Sequence, residues 1–323
     1  MDKIIVILPV YNGMQYLKQN IESVLSQTYS NFKFFILDDC STDGSWEYLC
    51  SVNDSRITLI QNDVNRGLFF NLNYLISNSN EELIKLWAQD DIMYETCLDE
   101  TVKFHIKFQE IGFSYSDRHI IDEKGEVYNT HQNVDLTPEV VSTKLHTQIA
   151  FFVGSIAGNI ANVTIVRNAI VKVGLFNEKM KISADFEMWV RIAQYFPVGH
   201  IKKPLIQLRN HKDQLSRQEE YFIFHIKEDI EIYNYLISYI DEKERLIGRY
   251  YLRNYKLLFY YTLMLKALFK GKFNTFYKFY FILNKFENIY VLTMLFVKNK
   301  IVFKNENKRS YMDNTKFYEY YNN

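Results

Sequence analysis

The stretch FKFFILDD at residues 32–39 decides the fold, because it is an apolar run that ends in two carboxylates. The same pattern recurs in LIKLWAQDD at residues 83–91, where Asp90 and Asp91 close the run. Such runs are typical of buried strands that carry acids to the edge of a sheet. Ligands of open α/β sheets bind at the carboxyl ends of the strands, so we expect a ligand site at this edge.

A third acid follows later in the chain, where Asp185 opens an amphipathic segment at residues 186–193. Paired carboxylates at a sheet edge suit a divalent cation that carries phosphates. A separate carboxylate suits a general base. Together, the three acidic positions predict an enzyme that acts on a nucleotide diphosphate compound.

Strand and helix patterns alternate over residues 3–91, which predicts a mostly parallel sheet flanked by helices. The sequence contains neither the GxGxxG fingerprint of dinucleotide-binding folds nor a P-loop. Beyond residue 91 the patterns predict strands at 113–116 and 198–208, a hairpin turn at 122–125, and helices at 94–110, 137–147, 185–194 and over most of 219–303.

The composition is that of an ordinary globular protein, since 48% of the 323 residues are hydrophobic and 24% are charged. Three cysteines without metal-ligand spacing, Cys40, Cys50 and Cys97, are interpreted as reduced thiols of a cytosolic protein. The first apolar run is too short for a signal peptide, and no run approaches the ~20 apolar residues that span a bilayer. We therefore expect a cytoplasmic protein.

A series of motifs resembles those of family 2 glycosyltransferases, which are inverting, metal-dependent enzymes with the GT-A fold. These motifs are PVYN at 9–12, DDCSTD at 38–43, NRG at 65–67, WAQDD at 87–91, the blocks at 173–178 and 183–189, and RNHKDQLS at 209–216. The resemblance covers residues 3 to about 217. It implies an α/β fold of GT-A type, with a Rossmann-like, mostly parallel central sheet flanked by helices and a C-terminal α-helical extension.

The same resemblance implies an order of domains along the chain. A catalytic domain is expected at 1–218, with a nucleotide-sugar half at about 1–112 and an acceptor half at about 113–218. A helical region rich in basic and aromatic residues is expected at 219–303, followed by a polar tail at 304–323.

The first three motifs are expected to bind the donor. By the resemblance, Tyr11 packs against the base, and Asp39 accepts a hydrogen bond from the base N3–H, which favours uracil or thymine. Arg66 neutralises phosphate or contacts the base, and Gly67 lets the backbone approach the ligand. The full set of expected nucleotide-sugar ligands is Pro9, Tyr11, Asn12, Asp39, Asn65, Arg66, Gly67 and Asp90.

The later motifs are expected to carry the metal and the catalytic base. The resemblance makes Asp91 a ligand of Mn²⁺ or Mg²⁺, and it assigns Asp90 to the ribose or the metal shell. His211 is expected to bind the metal or the diphosphate. Asp185 matches the base that takes the proton from the acceptor hydroxyl.

Two positions depart from the family pattern. Cys40 stands where the family more often has glycine, and Ala184 replaces the acidic residue usual beside the base. The residues after Cys40 also have a local structural interpretation. Ser41 or Thr42 is expected to cap the next helix, with Asp43 in its first turn.

The resemblance implies transfer of one sugar from a nucleotide diphosphate sugar, most simply a UDP-sugar, to a glycan or lipid-linked glycan. The product would be a bacterial surface polysaccharide such as O-antigen, capsule or lipooligosaccharide. The QxxRW segment of processive relatives is absent, so we expect a non-processive enzyme. Two alternatives remain open: a non-catalytic nucleotide- or glycan-binding assembly partner, and hydrolysis of the donor without an acceptor.

Charged residues are distributed unevenly along the chain. Residues 1–244 contain 23 Lys and Arg and 34 Asp and Glu, whereas residues 245–323 contain 15 Lys and Arg and 4 Asp and Glu. Basic and aromatic residues alternate over 245–309, as in amphipathic helices that bind an anionic membrane surface. This pattern predicts a peripheral location on the inner face of the cell membrane. A helical cap with its basic face in water and a homo-oligomer interface are the alternatives, and no nucleic acid partner is expected beside such a catalytic half.

Overall fold

The computed structural model describes residues 4–129, 136–212, 214, 221–302 and 317–318. Backbone contacts divide the chain into two compact units. The sheet unit comprises Met1–His146 and Ala157–Gln214, and the helical unit comprises Thr147–Ile156 and Leu215–Asn323.

The described part of the sheet unit contains one sheet of ten strands, in the order β3-β2-β1-β4-β9-β6-β10-β5, with β7 beside β6 and β8 beside β10. The strands are β1 (Ile4–Val10), β2 (Phe32–Asp38), β3 (Ile57–Gln61), β4 (Leu83–Leu86), β5 (Ile92–Met93), β6 (Phe113–Ile121), β7 (Val127–Asn129), β8 (Val140–Val141), β9 (Val163–Val166) and β10 (Val198–Arg209). The helices of the first two thirds are α1 (Met14–Leu25), α2 (Ser45–Ser51), α3 (Leu68–Ser77), α4 (Cys97–Lys107), α5 (Thr143–Phe152), α6 (Arg167–Val173) and α7 (Ala184–Ala193).

Strand direction places the carboxyl ends of the main strands at one edge. β1 pairs in parallel with β2 and β4, and β2 pairs in parallel with β3. β9 is antiparallel to both β4 and β6, and β6 is parallel to β10. Strands β1, β2, β3, β4, β6 and β10 therefore all end at the same edge. The predicted α/β fold, with its mostly parallel central sheet flanked by helices, is confirmed.

The apolar character of β1 follows from its position in the middle of the sheet, where all seven of its residues are buried. A strand covered on both faces has no polar alternation, which is why the chain reads here as one apolar run. On one face, Ile4, Val6 and Leu8 join a core with Leu17 and Ile21 of α1. Residues on one face of helix α1 therefore share a core with alternate residues of strand β1.

Two elements differ from the sequence-based expectation. The strand expected at 113–116 extends to Ile121, because β10 and the β7 hairpin pair with its polar second half. The helix expected at 137–147 begins only at Thr143, because Val140 and Val141 form an edge strand beside β10. In both places the secondary structure is set by pairing with a strand that is distant in sequence, and such pairing leaves no local apolar pattern.

The described residues of the helical unit form consecutive helices after residue 221: α8 (Phe222–Ile237), α9 (Glu242–Tyr251), α10 (Leu258–Phe269), α11 (Phe273–Phe286) and α12 (Ile289–Phe296). Four of them, α8, α10, α11 and α12, share a core that includes Ile230, Tyr260, Met264, Phe279, Leu283 and Leu292. Among the described residues, none of the helices is both long and apolar enough to cross a membrane.

Most of the predicted polar tail at 304–323 lies outside the described residues. Phe317 and Tyr318 are described and are both buried. The Phe317 ring lies 6.3 Å from that of Phe152, which belongs to the same unit.

Candidate active site

The Asp90–Asp91 turn follows β4 at the carboxyl edge and leads into β5. Asp91 is only 1% exposed. Its Oδ1 atom accepts a hydrogen bond from the Arg209 backbone N–H at 2.8 Å, whereas its Oδ2 atom is buried and makes no hydrogen bond within the described ranges. Burial, and next the charge of Asp90, raise the pKa of Asp91 well above its ordinary value. A cation beside the orphaned oxygen would restore the ionised form.

Asp90 is brought together with a residue far along the chain. Its Oδ2 atom lies 2.9 Å from Nε2 of His211, and the Nδ1 atom of His211 is buried with no hydrogen-bond partner among the residues that the structure describes. The His211 ring also contacts the ring of Tyr16, at 5.3 Å between centroids. Asp90, expected at the ribose or the metal shell, and His211, expected at the metal or the diphosphate, are therefore in direct contact.

Arg209 holds this arrangement together, although the sequence analysis assigned it no role. Its guanidinium is almost fully buried, donates to the Asp90 carbonyl at 2.9 Å and to Gln19 Oε1 at 2.8 Å, and also donates to the carbonyls of the turn after β6. Its Cζ atom lies 4.4 Å from the centroid of the Tyr16 ring. The guanidinium thus fixes the backbone of the acidic turn. The sequence feature that could have indicated this role is the position of Arg209 as the first residue of the RNHKDQLS motif.

A buried lysine adds to the electrostatics of the turn. Lys85 of β4 donates from Nζ to the Ala161 carbonyl at 2.6 Å and lies 5.7 Å from the Trp87 ring. Burial lowers the pKa of Lys85, while the nearby Cys97 and Asp91 raise it. Its position inside an apolar strand gave no reason to predict a polar role.

Gln89 joins the acidic turn to the loop after β1. The Tyr11 N–H donates to Gln89 Oε1 at 2.8 Å, and Gln89 Nε2 donates back to the Tyr11 carbonyl at 3.1 Å. The Tyr11 side chain is 47% exposed, so its ring is accessible to a ligand. Gly13 is required for this approach, because a Cβ atom there would lie 2.6 Å from Gln89 Oε1. Pro9 is buried within β1, beside Leu37 of β2.

Asn12 serves to join two loops. Its N–H donates to Ser41 Oγ at 2.9 Å, and its Oδ1 atom accepts from the Thr42 N–H at 2.8 Å. Asp43 accepts in turn from the N–H of Met14 at 2.9 Å. The expected helix cap at Ser41 or Thr42 is therefore wrong, because α2 begins only at Ser45 and both residues bind the first loop. Asp43 lies just before the helix and accepts from the Ser45 N–H at 3.0 Å as well as from Met14.

Asp39 organises the NRG segment. Its carboxylate accepts from Asn62 Nδ2 at 2.8 Å, from the Arg66 N–H at 2.8 Å and from the Gly67 N–H at 2.9 Å. Gly67 has a φ of +88°, a conformation that L side chains rarely adopt. The Arg66 guanidinium lies 5.2 Å from the Phe70 ring, on α3.

Beside Asp39, Cys40 has a φ of +63°. The family's more usual glycine would adopt this conformation without strain, whereas cysteine carries a Cβ atom into it. The Cys40 thiol lies 3.5 Å from the Asp63 carbonyl. Asn65, the first residue of the NRG segment, is exposed at the surface.

Asp185 lies in the first turn of α7, where its Oδ1 atom accepts from the Phe186 N–H at 2.7 Å. The positive end of the helix dipole favours a carboxylate at this position. The preceding Ala184 is fully buried. An acidic side chain at that place would need a buried partner, which gives a physical reason for the departure from the family pattern.

The helix that carries Asp185 is firmly held. The Trp189 ring packs 5.2 Å from that of Phe113 and 6.0 Å from that of Phe176. Asn73 of α3 accepts from the Phe176 N–H and donates to its carbonyl, both at 2.9 Å. Arg191 donates to the backbone of the same segment and to Glu187. Asp185 is therefore presented by a rigid element, as a catalytic carboxylate requires.

The residues at the acidic turn provide suitable donors for a divalent cation. The two carboxylates suit Mn²⁺ or Mg²⁺, and the imidazole of His211 adds a nitrogen donor. Neither Asp91 Oδ2 nor His211 Nδ1 has a hydrogen-bond partner in the described part of the chain. Within the described ranges, however, no group of three or more His, Cys, Asp or Glu side chains is close enough to hold a metal ion. The chemistry of the donors fits the ion, and its binding belongs to the proposal below.

Comparison with known proteins finds a matching family model and relatives that share part of this sequence. Residues 5–165 match the model of the family described as Glycosyl transferase family 2. The Escherichia coli K12 protein described as putative colanic acid biosynthesis glycosyl transferase WcaA is 30% identical over 57% of this chain and 64% of its own. The E. coli protein named UDP-Glc:alpha-D-GlcNAc-diphosphoundecaprenol beta-1,3-glucosyltransferase WfaP is 31% identical over 37% of this chain and 47% of its own.

Solved structures agree on the fold. S. aureus TarS 1-349 in complex with UDP-GlcNAc superposes with a TM-score of 0.59 at 16% identity, covering 75% of this chain and 69% of that one. The chain spans 35% of the length of the first curated relatives that it matches. With the matched domain, the motifs and the fold in agreement, the resemblance is confirmed, and the chain belongs to the family 2 glycosyltransferases.

Proposed function

We propose that this protein transfers one sugar from a UDP-sugar to a glycan or lipid-linked glycan, with inversion at the anomeric carbon. The observation that carries the proposal is the junction at the sheet edge, where Gln89, Asp90 and Asp91 connect to Tyr11, Arg209 and His211. The acidic turn is thereby tied to the backbone of Tyr11, whose side chain is exposed. A nucleoside diphosphate would contact both features, with its base at Tyr11 and its phosphates at the acidic turn.

Within this proposal, Tyr11 stacks on the base and Asp39 recognises it. Asp39 already accepts three hydrogen bonds, and two carboxylate oxygens have lone pairs for one more. Asn65, Arg66 and Gly67 border the nucleotide, since Asp39 holds the backbone of Arg66 and Gly67. UDP is preferred as the nucleotide because TarS was crystallised with UDP-GlcNAc and the name of WfaP specifies UDP-Glc.

Mn²⁺ or Mg²⁺ is proposed to bind at Asp91, with Asp90 and His211 nearby. When bound, the ion would offset the negative charge of the departing diphosphate. Asp185 removes the proton from the acceptor hydroxyl while the hydroxyl oxygen forms a bond to the anomeric carbon. Attack from the side opposite the diphosphate breaks the bond between that carbon and the leaving oxygen, which inverts the centre.

The catalytic role is assigned to residues 1–218, with the donor half at about 1–112 and the acceptor half at about 113–218. WfaP is named for a diphosphoundecaprenol-linked acceptor, and WcaA is described for colanic acid biosynthesis. These relatives favour a lipid-linked glycan acceptor and synthesis of a surface polysaccharide at the inner face of the cell membrane. The absence of a QxxRW segment favours addition of one sugar in each binding event.

The first experiment measures thermal stability with UDP, GDP, CDP and dTDP, each with and without Mn²⁺. A ligand at 100 times its dissociation constant adds about 2.7 kcal/mol to the free energy of unfolding, enough to raise the melting temperature visibly. The expected result is a rise with UDP that requires the metal. No rise with any diphosphate would overturn the proposed donor and leave the non-catalytic assembly partner.

The second experiment measures sugar transfer by the Asp185→Asn variant. Loss of a general base is expected to reduce turnover by about 10²–10⁴-fold. Asp99→Asn is the matched control, because Asp99 lies in the first turn of α4 and pairs with Lys103 at the surface. Unchanged turnover in Asp185→Asn would overturn its assignment as base. Release of free sugar without any glycan product would favour donor hydrolysis instead.

A further inference from the structure

The turn between α10 and α11 presents a rigid tip. Gly271 has a φ of +69°, and nothing lies within 4 Å of the position that its Cβ atom would take. The Lys272 N–H donates to the Ala267 carbonyl at 2.9 Å, and the Gly271 N–H donates to the Leu268 carbonyl at 3.0 Å. This pair of hydrogen bonds is a Schellman motif, which ends α10 sharply and lets α11 begin at Phe273.

Large aromatic side chains at this tip and along α11 are exposed. Phe269 is 85% exposed and Phe273 is 59% exposed, one on each side of the turn. Tyr277 and Phe281 follow Phe273 at helical spacing and are 55% and 68% exposed. We call these four residues the hairpin face. The opposite side of α11 is buried through Phe279 and Leu283, so the helical core does not use the hairpin face.

The charged residues within the sequence of this helical hairpin are all lysines. Residues 258–286 contain five lysines and no Asp or Glu. The five are Lys266, Lys270, Lys272, Lys278 and Lys285, all of them exposed. Two lysines lie inside the turn itself, between Phe269 and Phe273. An exposed apolar row with lysines before, within and after it is typical of surfaces that bind at the boundary between lipid and water.

We propose that the hairpin face binds an anionic phospholipid bilayer, with Phe269 and Phe273 inserted among the headgroups. Aromatic side chains favour the membrane interface, and lysines near an anionic surface strengthen attachment until salt screens them. A second copy of the chain is a poorer occupant, because a symmetric contact would bring the same five cations together. This inference rests on the helical unit and does not depend on the donor.

Flotation of the full-length protein with vesicles tests the proposal. Vesicles of phosphatidylglycerol and phosphatidylcholine in equal parts should carry the protein upward, whereas vesicles of phosphatidylcholine alone should not. Binding should fall sharply in 1 M salt, where the screening length is about 3 Å. Failure to bind the anionic vesicles, or equal binding to both kinds, would overturn the proposal.

Two double variants locate the binding surface. F269S/F273S should weaken partitioning at least about tenfold, because two large apolar side chains no longer leave water. K270E/K272E should weaken it comparably by reversing the charge at the tip. Leu246→Ser is the control, because Leu246 is 72% exposed on α9, where Glu242 and Glu244 accompany the basic residues.

Each variant should keep the melting temperature of the parent protein and its response to UDP, which shows that folding and the donor site are intact. Vesicle binding by both double variants at the parental level would overturn the proposal. So would a parent protein that sediments as a dimer and becomes monomeric in F269S/F273S, because the hairpin face would then bind a second copy.

Discussion

The Oδ2 atom of Asp90 lies 2.9 Å from Nε2 of His211, although 121 residues separate the two in sequence. The contact follows from the path of the sheet. Asp90 precedes β5, and β5 pairs with β10 just before His211, with Gln207 opposite Ile92. The short strand thus carries the acidic turn across to the end of β10, and this contact gives the first prediction.

His211→Asn is expected to weaken Mn²⁺ binding in the presence of UDP at least about tenfold, as loss of a ligand or of the group that orients a ligand does. Calorimetric titration of Mn²⁺ into the UDP-saturated protein measures this directly. His119→Asn is the matched control, since the His119 ring contacts Tyr94 and not the acidic turn. Equal Mn²⁺ affinity in His211→Asn and the parent would contradict a role for His211 at the metal.

The sequence predicted those parts of the molecule that repeat a local pattern. Apolar runs located the four leading strands, and the carboxylates at their ends located the edge where Asp39, Asp90 and Asp91 lie. The parallel direction of these strands was predicted from the alternation of strand and helix patterns along the chain. The apolar runs were clearest for β1 and β4, because nearly all of their residues are buried and no polar alternation interrupts the run.

The contacts that shape the site could not be predicted in this way. Gln89 bonds the backbone of Tyr11, and Arg209 bonds the backbone of Asp90, between segments that are far apart in sequence. Hydrogen bonds from side chains to distant backbone have no period. Ser41 was misinterpreted for the same reason, because a hydroxyl suited to cap a helix also accepts from the Asn12 N–H.

Gly13→Ala is expected to lower the free energy of unfolding by about 0.5–1.5 kcal/mol, the typical net contribution of a hydrogen bond, because Gln89 can turn away only by giving up its bonds to Tyr11. The added Cβ atom would lie 2.6 Å from Gln89 Oε1, so Gln89 must leave the Tyr11 backbone. Gly13 has a φ of −101°, so backbone strain does not contribute. Urea unfolding measures the change.

The double variant Gly13→Ala/Gln89→Ala isolates that cause. If the clash with Gln89 explains the loss, the second substitution removes it, and the effects of the two single substitutions are not additive. Additive losses in the cycle would show instead that Gly13 is required for another reason.

Cys40→Gly is expected to raise the free energy of unfolding by up to about 1 kcal/mol, because glycine adopts the φ of +63° without the Cβ strain of cysteine. Cys40→Ala keeps that strain and removes only the thiol, which lies 3.5 Å from the Asp63 carbonyl. Urea unfolding of both variants separates the two effects. A Cys40→Gly protein no more stable than Cys40→Ala would contradict the strain explanation.

Two buried histidines should make the fold sensitive to acid. Burial lowers the pKa of both His105 and His146 from 6.5 to about 4 in the folded protein. Between these values the unfolded chain binds more protons than the folded one. The stability that their neutral form contributes is therefore complete above pH 6.5 and declines as the pH falls toward 4.

His146→Gln is expected to reduce the slope of unfolding free energy against pH in that window, by up to about 1.4 kcal/mol per pH unit. The substitution removes a ring that packs against Phe113, at 6.0 Å between centroids, so an offset in stability at every pH is also expected. The slope, measured by urea unfolding from pH 7 to pH 4.5, separates titration from this packing loss, because packing does not depend on pH. His105→Gln should reduce the slope similarly, and the double variant should reduce it further. Parallel pH profiles for the parent and the double variant would show that other groups titrate in this range.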